Sequence, residues 1–165
     1  MVAVIGIGND FRGDDAVGLI VARAVRARAP DGVAVHESHG DGTTLLDLWT
    51  GVDRVIVVDA MRSGCSPGTV VRFDGLDEGR WPDGSPGALA SSHAFGVLEA
   101  IELGRRLGLV PASLVVYGIE GASFDAGAPL SPHVMATIPA VVDQIVAEMG
   151  RQFGARDSAL KDRPA

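Results

Sequence analysis

The run Val55-Ile56-Val57-Val58, closed by Asp59, constrains this chain more than any other segment. Consecutive β-branched residues favour an extended backbone, and a strand with no polar face must be covered on both sides. That is the situation of a central strand in a parallel sheet with helices above and below. A second apolar run, Val2 to Ile7, opens the chain and meets Gly6 and Gly8, which reads as a buried strand leading into a tight turn. A chain of 165 residues, 47% of them hydrophobic, is long enough for one such domain with a substantial core and too short for two. Because only 5% of the residues are aromatic, that core is expected to be aliphatic.

Around these two strands the hydrophobic period changes. From Asp15 onward Val17, Leu19, Ile20, Val21, Ala24 and Val25 recur at helical spacing, so a helix is expected from Asp15 to Arg28, closing at Pro30. Val33 to Glu37 alternates as a strand. Thr43 to Trp49 reads as a short helix after the flexible run His39-Gly40-Asp41-Gly42. Thr69 to Phe73 is a further strand. The loop before it is too short for a parallel crossover, so this strand is expected antiparallel to the preceding one, and the sheet mixed. Asp74 to Ala90, which contains Trp81, has no period and reads as a mobile loop. Ser91 or Ser92 caps a predicted helix through Leu107, with His93 in its first turn. Leu114 to Ile119 is the last strand, ending at Glu120, and Pro132 to about Phe153 the last helix. The expected architecture is a single α/β domain over residues 1–153. It is a three-layer α/β/α sandwich around a mixed, mainly parallel five-stranded sheet, followed by a disordered tail over 154–165.

Charge and cysteine content exclude several classes. A net charge of −7 argues against phosphate backbones and anionic membrane surfaces as partners. The single cysteine, Cys65, excludes an internal disulfide framework and a multi-cysteine metal site. Its neighbours Ser63, Gly64, Ser66 and Pro67 are turn formers that supply no base. With no basic-then-apolar leader and no apolar run of membrane-spanning length, the cytoplasm is the expected compartment.

The residues able to do chemistry collect where strands end. Gly6-x-Gly8-Asn9 with Gly13 beyond invites comparison with a dinucleotide-binding turn. The third glycine is one position late, however, and Asp14 and Asp15 place negative charge where phosphates would sit, so no nucleotide is expected. Helix capping could account for Asp14, but two adjacent acids are more than a cap needs. Singly, Asp59 reads as a polar strand terminus and His93 as a helix-start or surface histidine. If the first and third strands are both central and parallel, the loops after them open on one edge. Asp15, Asp59 and His93 could then meet as a mixed oxygen and nitrogen donor set suited to a divalent transition metal. His36, His39 and His133 read as ordinary surface or capping histidines, and Glu120 either lines the cleft or binds a loop amide.

With these residues in view, the chain resembles the [NiFe]-hydrogenase maturation endopeptidases. The matching stretches are Val4-Ile5-Gly6-Ile7-Gly8-Asn9, Gly13-Asp14-Asp15-Ala16-Val17-Gly18, Val57-Val58-Asp59-Ala60, Pro67-Gly68-Thr69, Ser92-His93-Ala94-Phe95-Gly96 and Val116-Tyr117-Gly118-Ile119-Glu120. The resemblance implies an enzyme that removes a C-terminal extension from a hydrogenase large-subunit precursor. The nickel that precursor carries would be recognised at the positions of Asp15, Asp59 and His93, the catalytic and metal-engaging residues. Some relatives carry Glu where Asp15 stands. It further implies that the loop holding Gly40, Asp41, Gly42 and Thr43 reads the substrate; many relatives have an Asp-Gly-Gly-Thr type loop there, and this chain has Ser38-His39-Gly40-Asp41-Gly42-Thr43. The rival reading is a non-catalytic chaperone that binds nickel or the loaded precursor. The mechanism expected for the enzyme is metal-assisted hydrolysis, or an aspartic one in which Asp15 and Asp59 share a proton.

Overall fold

The computed structural model describes residues 1–77 and 94–161. Trp81, Ser91, Ser92 and His93, with most of the loop expected over Asp74–Ala90, fall outside the described residues. The strands are β1 (Val2–Ile7), β2 (Val33–Ser38), β3 (Arg54–Met61), β4 (Val70–Asp74) and β5 (Ser113–Glu120). The helices are α1 (Val17–Arg26), α2 (Gly42–Trp49), α3 (Ala94–Leu107) and α4 (Pro132–Lys161), and a 3₁₀ turn over Gly13–Ala16 precedes α1. The five strands form one sheet in the order β2-β1-β3-β5-β4. β1 is parallel to β2 and β3, β3 is parallel to β5, and β4 is antiparallel to β5. This is the mixed sheet expected, with one adjustment: the reversed strand pairs with β5, and β5 separates it from β3.

Alternation along the strands divides the core. Ala3, Ile5, Ile7, Val55, Val57, Leu114 and Val116 face α2 and α3, meeting Leu45, Trp49, Val97 and Ile101. Val2, Val4, Ile56, Val58, Val115, Tyr117 and Ile119 face α1 and α4, meeting Val17, Val21, Val25, Val142 and Ile145. Side chains of adjacent residues point to opposite faces of a strand, so uninterrupted Val and Ile runs in β1 and β3 feed two aliphatic layers at once. No described helix is long and apolar enough to cross a membrane.

Three boundaries differ from expectation. The segment from Asp15 starts as a 3₁₀ turn, and α1 begins only at Val17. β3 continues past Asp59 to Met61, because β5 pairs with it through Asp59↔Gly118, Ala60↔Ile119 and Met61↔Glu120. Backbone pairing with a neighbour overrides a polar residue as a strand stop. α4 runs on past Phe153 to Lys161, over Ala155, Ala159 and Leu160, residues of high helix propensity.

The sheet and α1 meet backbone to backbone. A methyl group at Gly18 would collide with the carbonyl oxygens of Ile7 and Val58, and one at Gly6 would collide with the Gly18 carbonyl and lie 2.6 Å from Ala22 Cβ. Gly18→Ala should therefore force α1 off the sheet and lower stability by about 2 kcal/mol or more. Urea unfolding followed by circular dichroism measures this as a fall in midpoint.

Candidate active site at the strand ends

β1 leads outward through α1 to β2, whereas β2 returns through α2 to β3 on the other side of β1. The connections thus diverge between β1 and β3, and the carboxyl end of such a switch point is where open α/β sheets hold their ligands. Both acids singled out above lie here. The β1 ladder on β3 stops at Gly6↔Val58, so Asp59 lies one residue beyond the last β1 pair, level with the final residue of β1, while β5 still pairs beside it. Asp15 sits in the 3₁₀ turn, which packs on β3. Asp59 is 0% exposed and Asp15 1%. Two carboxylates withdrawn from water at one sheet edge are unfavourable unless the surroundings or a ligand compensate them. His93 lies outside the described residues, and among the described residues no group of three His, Cys, Asp or Glu side chains stands close enough to hold a metal.

The turn that carries Asp15 folds back on the end of β1. Gly8 donates its N–H to Ser38 O at 3.1 Å, Asn9 donates to Asp15 O at 3.2 Å, and Asp15 donates to Arg12 O at 3.1 Å. The glycines of this stretch serve close packing rather than phosphate binding: a side chain at Gly8 would strike the Asp15 carbonyl. Gly13 takes φ +56°, and a Cβ there would lie 2.5 Å from Ser123 O. Only glycine accepts that conformation without strain.

Asp14 does not cap the helix that follows it. Its fully buried carboxylate reaches across the fold, accepting the N–H of Ala122 at 2.7 Å, of Ser123 at 3.0 Å and of Ser131 at 2.6 Å, and the Ser131 hydroxyl at 2.7 Å. Burial pushes its pKa up, but the hydrogen bonds from Ser131, Ser123 and Ala122 outweigh it and hold the carboxyl below the usual aspartate value. Glu120 does similar work on the neighbouring loop. Its carboxylate accepts the N–H of Ser63 at 3.0 Å and of Gly64 at 2.9 Å, and the Ser63 hydroxyl at 2.8 Å. Of the two readings left open for Glu120, loop binding is the one these bonds support. Neither set of bonds could be read from local sequence, because each joins segments distant in the chain.

The loop holding Gly40, Asp41, Gly42 and Thr43 follows β2 on the same edge. Gly40 takes φ +82° and donates its N–H to Ser38 Oγ at 3.0 Å. Asp41 is the N-cap of α2, accepting the Thr44 N–H and the Thr43 hydroxyl, each at 2.9 Å, and these bonds hold its carboxyl below the usual range. Gly96, in the first turn of α3, packs directly on the Gly40 carbonyl. His39 is exposed, as expected of a surface histidine, with Nδ1 3.2 Å from Gly8 O; His36 stays within β2 and His133 is exposed at the start of α4.

A family model described as hydrogenase maturation protease matches residues 20–148. The hydrogenase expression/formation protein HupD of Bradyrhizobium diazoefficiens is 30% identical, over 98% of this chain and 85% of that protein. The hydrogenase 2 maturation protease of Escherichia coli is 27% identical, over 90% of both chains. Among solved structures, the hydrogenase maturating endopeptidase HybD from E. coli superposes with a TM-score of 0.77 at 25% identity, covering 92% of this chain and 93% of that one. The fold is thus that of a maturation endopeptidase. The chain belongs to the hydrogenase maturation protease family.

The Asp14 bonds predict a specific pH dependence. A carboxyl whose folded pKa is depressed stabilises the fold above its unfolded value, near 3.8, and loses that contribution as pH falls through the folded value. Asp14→Asn should destabilise by about 2–3 kcal/mol at neutral pH. In denaturant titrations across pH, the gap between the two proteins should narrow only below the ordinary aspartate range.

Proposed function

We propose that this chain removes a C-terminal extension from a [NiFe]-hydrogenase large-subunit precursor, with Asp15, Asp59 and His93 engaging a nickel ion that the precursor carries. The observation that supports this most is the burial of Asp15 and Asp59 at the switch point of a maturation-endopeptidase fold. Two carboxylates and an imidazole form a donor set suited to a divalent transition metal. A metal held partly by its own polypeptide and partly by these side chains would bring the precursor backbone to the carboxylates, and cleavage would then depend on metal loading. A carboxylate at this edge can accept the proton of an attacking water beside the scissile carbonyl. A variant of the reading is an aspartic one, in which Asp15 and Asp59 act together on the attacking water. Gly40, Asp41, Gly42 and Thr43 are the proposed substrate-reading loop, and the cytoplasm the proposed compartment.

Incubation of the purified chain with nickel-loaded and nickel-free precursor, followed by intact mass measurement, tests the reading. Loss of the extension is expected in the loaded sample alone. Asp59→Asn should slow that cleavage by roughly 100-fold or more. Cleavage by Asp59→Asn with the metal dependence of the parent chain would remove Asp59 from the reaction. Absence of any fragment in both samples would favour a binding chaperone for that client.

A further inference from the structure

The arginines of the described chain divide by their partners. Arg23 reaches Asp10 and Glu37, each at 2.7 Å, Arg26 reaches Glu37 at 2.9 Å, and Arg28 reaches Asp143 at 2.6 Å. Arg54 and Arg72 share Glu148, Arg106 pairs with Glu102, and Arg105 donates to Leu76 O at 2.7 Å. Arg12 and Arg62 have no carboxylate partner among the described residues. Asp and Glu outnumber Lys and Arg by 21 to 14, so counter-ions are plentiful, yet both of these exposed arginines stand at the one edge described above. Arg12 lies in the loop that carries Asp15, and Arg62 directly follows β3, which carries Asp59. The Arg62 guanidinium is not loose: its central carbon sits 4.4 Å from the centroid of the Phe124 ring.

An aromatic side chain, Phe11, precedes Arg12 in the same loop. Trp49, Phe73, Tyr117 and Phe124 are buried, whereas Phe11 is 80% exposed. Its backbone is nonetheless fixed on both sides, the N–H donating to Asn9 Oδ1 at 2.9 Å and the carbonyl accepting the Gly127 N–H at 2.8 Å. A ring displayed in water from a pinned loop loses little conformational freedom when something packs on it, which is the property of an interface anchor.

We propose that Phe11, Arg12 and Arg62 form a docking rim for an acidic segment of the protein substrate, its carboxylates paired with the two guanidiniums and an apolar side chain seated on the Phe11 ring. This rests on the endopeptidase reading above. The planar guanidinium fork matches a carboxylate, and a chain of net charge −7 is a poor partner for a phosphate polymer. The rim also offsets the repulsion that the buried acids of the edge exert on an acidic segment.

Steady-state cleavage of nickel-loaded precursor at low and high salt tests the rim, together with calorimetric binding of that precursor. For the parent chain KM should rise with salt. In the double variant Arg12→Gln/Arg62→Gln, KM at low salt should rise about tenfold with kcat little changed, and its salt dependence should flatten. Lysine at both positions should keep the salt dependence. Phe11→Ala should raise KM by roughly tenfold while leaving the salt dependence intact. An unchanged KM and salt dependence in the double glutamine variant overturns the rim. So does a parent dimer, seen by sedimentation, that Phe11→Ala dissociates. If the parent chain cuts no precursor, the endopeptidase reading fails. The rim is then judged by binding alone, and equal affinity of the parent and glutamine variants refutes it.

Discussion

The backbone contact between α1 and the two central strands is the constraint on which the rest of the site depends. Gly18 lies against the carbonyls of Ile7 and Val58, and Gly6 lies against Gly18 and Ala22, so helix and sheet approach more closely than side chains would permit. With α1 that close, the turn ahead of it has no room to run on smoothly from β1. It doubles back, as the Asn9 N–H to Asp15 carbonyl bond records, and the 3₁₀ turn that carries Asp15 packs on β3, the strand that carries Asp59. A fold with an ordinary side-chain layer between α1 and the sheet would hold that turn farther from β3.

The buried acids of this chain carry different tasks. Asp14 and Glu120 are bound by amides and hydroxyls of loops distant in sequence, and each fixes a connection at the strand-end edge. Glu148, toward the other end of the sheet, takes Arg54, Arg72 at 2.5 Å and the Tyr117 hydroxyl at 2.7 Å. Burial and the Glu148 bond push the Tyr117 pKa up to about 12, so the phenol remains the donor. These are structural uses of charge, in which donors and cations repay desolvation. Mutating them should chiefly change stability, whereas Asp15 and Asp59 are the acids proposed above to engage the precursor's metal.

Much of the fold was legible because its signals are local. Runs of Val and Ile announced β1 and β3, the apolar period after Asp15 announced α1, and a loop too short for a crossover announced a reversed strand. Partner choice was not legible: β4 pairs with β5, and that pairing was invisible until the Ser113–Glu120 strand was seen to run beside β3. The same cause hid the end of β3, since Asp59 is carried past its expected stop by hydrogen bonding to β5. At the site, the types of Asp15 and Asp59 and their positions at strand ends pointed to one edge. The task of Asp14 did not show, because its partners lie 108 to 117 residues away, and for Glu120 loop binding was one of two readings that only its bonds to Ser63 and Gly64 decide between. Asp41, expected from the resemblance to read the substrate, is a helix cap, so its side chain positions the loop that carries it.

The rim follows from the same electrostatics as the interior. Buried acids at the edge of a protein of net charge −7 disfavour an acidic polypeptide and favour a cation. Cationic side chains at the mouth reverse that preference locally, over distances of about 10 Å set by salt screening. Their value depends on remaining unpaired. An arginine already bound to a neighbouring carboxylate, as Arg23 is to Asp10 and Glu37, has little attraction left for a partner, and freeing it would cost the bonds it holds. Among the described residues Arg12 and Arg62 have no carboxylate partner, and Phe124 restrains Arg62 through its ring face without neutralising its charge. In the proposed complex the arginines and the buried acids would sort a bound polypeptide by charge along its length, drawing acidic groups to Arg12 and Arg62 and the metal-bearing stretch to Asp15 and Asp59.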